Sequence, residues 1–196
     1  MNLDNARIGD ILLSYGGADD KPLLKLLHGQ IRAAQKNAGY REHDVTHVQV
    51  KVFDQSIWAS DEAGGVRLHT PKIYSDRKYR LVRLHQPITE KGLHALQTYA
   101  MSQQGKKYDK GQLVSIGLQT FRWLPLFLRR WLARRADGGG AYTVCSGLVY
   151  DALRASGRLL PLPSLDPNRP NPGERAMPAL FEPLNHLEYF ELIAEQ

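Results

Sequence analysis

One cysteine, Cys145, occurs in the 196 residues of this chain. That scarcity excludes an internal disulfide framework and any zinc or redox site built on paired cysteines, leaving the thiol as either buried filler or a reactive group. Long apolar runs are missing as well. The opening stretch MNLDNARIGDILLSY carries acidic residues early and has no uninterrupted apolar segment of signal-peptide length. A start in the cytoplasm is therefore expected, with a specialised secretion route needed for delivery to another compartment or cell. Walker A, HExxH and G-x-S-x-G patterns are absent, so nucleotide hydrolysis, zinc proteolysis and serine hydrolase chemistry have no support. The seven histidines are too scattered to suggest a metal site, no cofactor is expected, and no internal repeat occurs.

What is present suits a single domain spanning residues 1–196. A 42% hydrophobic content can fill one core, and the length falls short of what makes a second domain the default. Twenty-six Lys and Arg against twenty Asp and Glu give a formal charge of +6. Such a balance favours anionic partners: nucleic acid, acidic lipid headgroups or cell-wall polymers.

Along the chain, Ile8 to Tyr15 reads as a strand entered through Gly9-Asp10. From Pro22 to about Ala38, apolar residues recur at helical spacing, predicting a helical insertion at about 20–40. Val45 to Phe53 alternates, with Val48, Val50 and Val52 on one side and His47, Gln49 and Lys51 on the other. Ser56–Ser60, Gly65–Leu68 and Tyr79–Leu84 read as further strands of an antiparallel sheet. A helix is predicted from the Thr89 N-cap towards Gly105, another from about Val144 to Ser156 with Gly157 as its stop, and a closing strand over Leu187–Ile193. A second insertion, at about 106–136, sets Lys106, Lys107, Lys110, Arg122, Arg129, Arg130, Arg134 and Arg135 among Phe121, Trp123, Leu124, Leu126, Phe127, Leu128 and Trp131. It is too interrupted to span a bilayer, and Pro125 should divide it.

The strongest chemical signal is Tyr142-Thr143-Val144-Cys145-Ser146-Gly147-Leu148-Val149, which sets the lone thiol in the first turn of an amphipathic helix. Unpaired N–H groups and the helix dipole stabilise a thiolate there, lowering its pKa from roughly 8.5, and can also hold an oxyanion. The competing reading is an inert core cysteine, the commonest fate of an isolated one. His47 is the candidate base, since it faces away from the apolar side of its strand and is free to meet the helix start across a cleft.

Gly9-Asp10-Ile11-Leu12, Thr46-His47-Val48 and Cys145-Ser146-Gly147-Leu148-Val149 together resemble the GD strand, histidine strand and cysteine helix of the NlpC/P60 papain-like superfamily. Here the cysteine follows the histidine, which resembles the circularly permuted branch containing YiiX-like and lecithin:retinol acyltransferase-like proteins. The resemblance implies an α+β, permuted papain-like fold, with an antiparallel sheet packed against the helix carrying the cysteine. It also implies a cysteine hydrolase or acyltransferase with a Cys145–His47 dyad or triad. Family members usually place a polar residue at the end of the next strand. This chain reads Ser56-Ile57-Trp58-Ala59-Ser60-Asp61-Glu62 there, leaving Ser60, Asp61 and Glu62 as candidates for the third member.

Permuted relatives, as the resemblance implies, often act on lipid acyl groups, and unpermuted ones on peptidoglycan peptides. The basic aromatic segment favours the lipid side: Arg122, Arg129 and Arg130 suit anionic headgroups, and Trp123 and Trp131 suit the membrane interface. The bland alternative packs those leucines in the core with the arginines on a solvated rim. A phospholipase-like acyl hydrolase or acyltransferase is the leading expectation, and a role as an antibacterial effector toxin would bring an immunity protein that occludes Cys145. A peptidoglycan amidase or endopeptidase is the alternative. A non-catalytic membrane or nucleic-acid binding module is the second, although leucines among the cations argue against nucleic acid.

Overall fold

The computed structural model describes residues 5–16, 22–37, 39–54, 56–61, 65–69, 78–108, 125, 142–143, 145–158, 160, 178–182, 185–186 and 188–195. In chain order the elements are β1 (Ile11–Tyr15), α1 (Pro22–Asn37), β2 (Val45–Phe53), β3 (Ser56–Asp61), β4 (Gly65–His69), β5 (Tyr79–Leu84) and α2 (Glu90–Gln103). They continue with the two-residue strands β6 (Lys107–Tyr108) and β7 (Tyr142–Thr143), α3 (Cys145–Ala155), a 3-10 helix over Pro178–Phe181, and β8 (Phe190–Glu195).

Six strands form one antiparallel sheet in the order β4-β3-β2-β1-β5-β8, and β6 pairs with β7 in parallel. The class is α+β. Cross-strand partners share a face of a sheet. Pairing of Ile11 with Val50 and Val82, and of Leu13 with Val48 and Arg80, therefore puts those residues on one face. Leu12, Ser14, His47, Gln49, Tyr79 and Leu81 belong to the other.

The first face holds the main core. Ile11, Leu13, Val48, Val50, Val52 and Val82 cluster there with Leu96 and Ala100 of α2, Leu148, Val149, Ala152 and Leu153 of α3, and Leu180 and Phe181 of the 3-10 helix. Each fully buried Leu, Val or Phe contributes on the order of 1.5–3 kcal/mol, enough to fix α3 rigidly on the sheet.

Local signals set the ends of the elements. Thr89 caps α2, its Oγ1 accepting from the Gly92 N–H at 3.2 Å. Gly157, at φ +84°, follows the end of α3. The strand expected from Ile8 begins only at Ile11, because Gly9 takes φ +93° and the Asp10 carboxylate accepts the Arg7 N–H at 2.7 Å in a turn. A Cβ at Gly9 would meet only the movable tip of the Ile88 side chain, so the positive φ is what calls for glycine here. The closing strand, expected over 187–193, lies at Phe190–Glu195. The insertion expected at about 20–40 is α1; that at about 106–136, with Arg122, Trp123, Arg129, Arg130 and Trp131, lies outside the described residues except for 106–108 and 125.

Candidate active site

Cys145 is the first residue of α3 and is only 3% exposed; Ser146 and Gly147 behind it are buried too. The N–H groups of the first helical turn have no intrahelical acceptors.

The two ends of α3 can be located on the sheet. A Cβ on Gly92, at the start of α2, would lie 2.6 Å from the Ser156 carbonyl oxygen, and Ile88, just before α2, abuts Gly9. The C-terminal end of α3 therefore lies at the Gly9 end of the sheet. Its start is fixed by a relay of pairings at the opposite end. Val66 of β4 donates to the Lys106 carbonyl at 2.8 Å, Gly105 donates back to Val66 at 2.9 Å, and Lys107 and Tyr108 pair with Tyr142 and Thr143, two residues before Cys145. Gly65 is indispensable to this join, since φ is +68° and any Cβ would collide with the Lys106 carbonyl.

His47 belongs to that same end. It pairs with Ser14 at the end of β1, and it is half-buried. On the neighbouring strand, Trp58 pairs with Val50 and Ile57 with Lys51. Beyond that pairing β3 runs on towards the His47 end, where Ser60 and Asp61 pair with Val66 and Gly65 of β4. Ser60 and Asp61 thus both lie at that end of β3, and Glu62 lies outside the described residues. The topology thus gathers Cys145, His47 and Asp61 at one end of the sheet.

The face of the sheet differs from the expectation. His47 was expected to look across a cleft at the helix start, but α3 covers the face of Val48 and Val50, and strict alternation gives His47 to the other. Nor is that other face a wet one. Gln49 is 8% exposed, Leu12 and Leu81 are buried, and the Gln49 Oε1 lies buried with no hydrogen-bond partner among the described residues. The alternation is broken next to the histidine: Ser14 pairs with His47 but Tyr15 pairs with Val45, so Thr46 is the extra residue of a β-bulge, its hydroxyl donating to the Ser14 carbonyl at 3.4 Å.

A polar cluster at this end escaped sequence reading. Glu182, wholly buried just after the 3-10 helix, accepts from the Tyr15 hydroxyl and from Arg80 Nη1, each at 2.5 Å. Arg80 also reaches Glu195 at 3.2 Å, and Lys78 meets Glu195 at 2.8 Å. Burial and then the Glu182 carboxylate push the Tyr15 phenol far above its ordinary pKa. Burial works against the Arg80 charge, but Glu182, Tyr15 and Glu195 together outweigh it and raise the guanidinium pKa. The available signal was a lone acid after the apolar Pro178-Ala179-Leu180-Phe181.

Among the described residues, no group of three or more His, Cys, Asp or Glu is placed to hold a metal ion, and no helix is long and apolar enough to cross a membrane. No family model matches the chain, and no curated protein or solved structure does.

Proposed function

We propose that this chain is a permuted papain-like cysteine acyl hydrolase or acyltransferase acting on lipid esters. The observation that carries the reading is the convergence, at one end of the sheet, of a cysteine opening a rigid buried helix and a histidine beside a bulge. Bulges bend a strand, increase its twist and re-aim neighbouring side chains, a device recurrent beside active sites. The proposed site requires the Thr46 step to turn His47 from the face opposite α3, on which its pairing with Ser14 sets it, towards the start of that helix.

In the proposed cycle His47 accepts the Cys145 proton as Sγ attacks the acyl carbonyl, and the first-turn N–H groups of α3 hold the oxyanion. The tetrahedral intermediate collapses by breaking the bond to the alkoxy oxygen, which takes the proton from His47 and departs as the alcohol. Water or an acceptor alcohol, deprotonated by His47, then attacks the thioester, and release of the carboxylic acid or new ester returns the proton to Cys145. Asp61 orients the imidazole in this scheme. Arg122, Trp123, Arg129, Arg130 and Trp131 bring the enzyme to anionic membranes, and an immunity protein covering Cys145 accompanies a toxin role.

The test is mass-spectrometric analysis of anionic phospholipid vesicles and purified peptidoglycan, each incubated with the wild-type protein and with Cys145→Ala. Fatty acid or lysolipid released only by the wild type is the expected result. Cysteine-dependent muropeptide cleavage would replace the lipid reading with an amidase, and identical product profiles for the two proteins on both substrates would refute the enzyme.

A further inference from the structure

The bulge beside His47 draws from β1 the Ser14 carbonyl, which accepts the Thr46 hydroxyl at 3.4 Å, while Thr46 has no paired residue in the ladder. Two further anchors tie its surroundings to the C-terminal part of the chain. Gln35 of α1, fully buried, donates to the Val45 carbonyl at 2.9 Å and to the His43 carbonyl at 2.6 Å, while its Oε1 accepts the Ala179 N–H at 2.7 Å. Through this side chain the 3-10 helix is fastened to the backbone just before the bulge. On the opposite strand, Tyr15 faces Val45 across the irregular step, and its hydroxyl is held by Glu182, immediately after the 3-10 helix.

We infer that Glu182 is a positioning residue for His47. Its carboxylate spans Tyr15 on β1 and Arg80 on β5, and so pins the strand against which the bulged strand must fold. A hydroxyl and a guanidinium converging on one buried carboxylate over-determine the place of Tyr15. The Tyr15 ring is braced further by the Lys78 ammonium, 5.1 Å from its centroid. With Tyr15 fixed, Val45 is fixed opposite it and Thr46 must bulge. His47, the next residue and the partner of Ser14, then takes the place this step dictates. The inference deepens the proposed function, since it rests on His47 being the base of that site.

The test is NMR titration of the His47 imidazole in the full chain, with Tyr15→Phe, Glu182→Gln and, at the other end of β1, Arg83→Lys as control. Tyr15→Phe removes no charge, so a shift it produces reports position rather than a lost through-space charge. The expected result is a displaced His47 midpoint in both Tyr15→Phe and Glu182→Gln, on the order of half a pH unit, with Arg83→Lys leaving it in place. An unmoved midpoint in the first two variants, or an equal shift in all three, would overturn the inference and make the cluster purely structural. Alkylation of Cys145 in the wild type separates the two levels: a thiol titrating normally contradicts the dyad, whatever the His47 signal does.

Discussion

The two ends of β1 are both tied by an arginine to a buried carboxylate, yet they do different work. At the Gly9 end, Arg83 meets Asp10 through Nε at 2.8 Å and Nη2 at 2.7 Å, joining two adjacent strands, with its side chain 19% exposed. At the Tyr15 end, Glu182 joins β1 and β5 to a segment more than a hundred residues away, and its side chain is 1% exposed. The first pair closes a turn. The second fastens the C-terminal segment to the strand beside the only bulge in the β1–β2 pairing, at the end where α3 begins. A carboxylate with no route to water and two donors is an expensive way to hold a strand, and its placement at the end of the sheet that carries His47 gives it a reason.

The largest expected effects lie at the Tyr15 end. Cys145→Ala should abolish acyl release, and His47→Ala should lower turnover by on the order of a thousandfold or more, measured with lipid or ester substrates. A substitution at Asp10 should change turnover only as far as it changes the folded fraction. Stability should separate the ends next. Glu182→Ala takes the acceptor from the Tyr15 hydroxyl and leaves the nearly buried Arg80 with the more exposed Glu195, and should destabilise by about 3–5 kcal/mol in urea titrations, against about 1–3 kcal/mol for Asp10→Ala, which leaves Arg83 able to reach water. Equal losses would erase the distinction.

Alkali should sharpen the contrast further. The folded-state pKa of Tyr15 is raised well above the unfolded value of about 10, so its contribution is complete below that pH. Above it the unfolded chain ionises and the folded one does not, and stability falls with rising pH. Tyr15→Phe should flatten that fall in denaturation curves collected between about pH 9 and 11. The smallest effect belongs to the exposed Lys78–Glu195 pair, where Glu195→Gln should change stability by less than about 1 kcal/mol. The Glu195 pKa is lowered by its hydrogen bond from Lys78, so this small term is present above the ordinary carboxylate range and fades as pH drops through the depressed value.

Much of the architecture was legible because periodicity and punctuation agree locally. The Val48, Val50, Val52 alternation, the Thr89 cap and the Gly157 stop each identify an element within a residue or two. The start of β1 was misplaced by three residues because the positive φ at Gly9 and the Asp10 side chain together make a turn where the pattern reads strand. Cys145 at the start of a helix was legible for the same local reason. The face relation of His47 to α3 was not, because it depends on which side of the sheet the helix takes. Gln49 shows the same limit: its polarity suggests a wet face, and the fold buries it. Glu182 was invisible because its partners are remote in sequence, and a single acid in an apolar stretch does not reveal whom it meets.

The most direct test of the central claim is the pH dependence of Cys145 alkylation by iodoacetamide, read by intact mass in the wild type and in His47→Ala. The expected result is a wild-type rate that inflects well below the ordinary thiol range of about 8.5 and loses that inflection when His47 is removed. A thiol that is inert throughout, or that titrates alike in both proteins, would show Cys145 to be a core residue and would contradict the account.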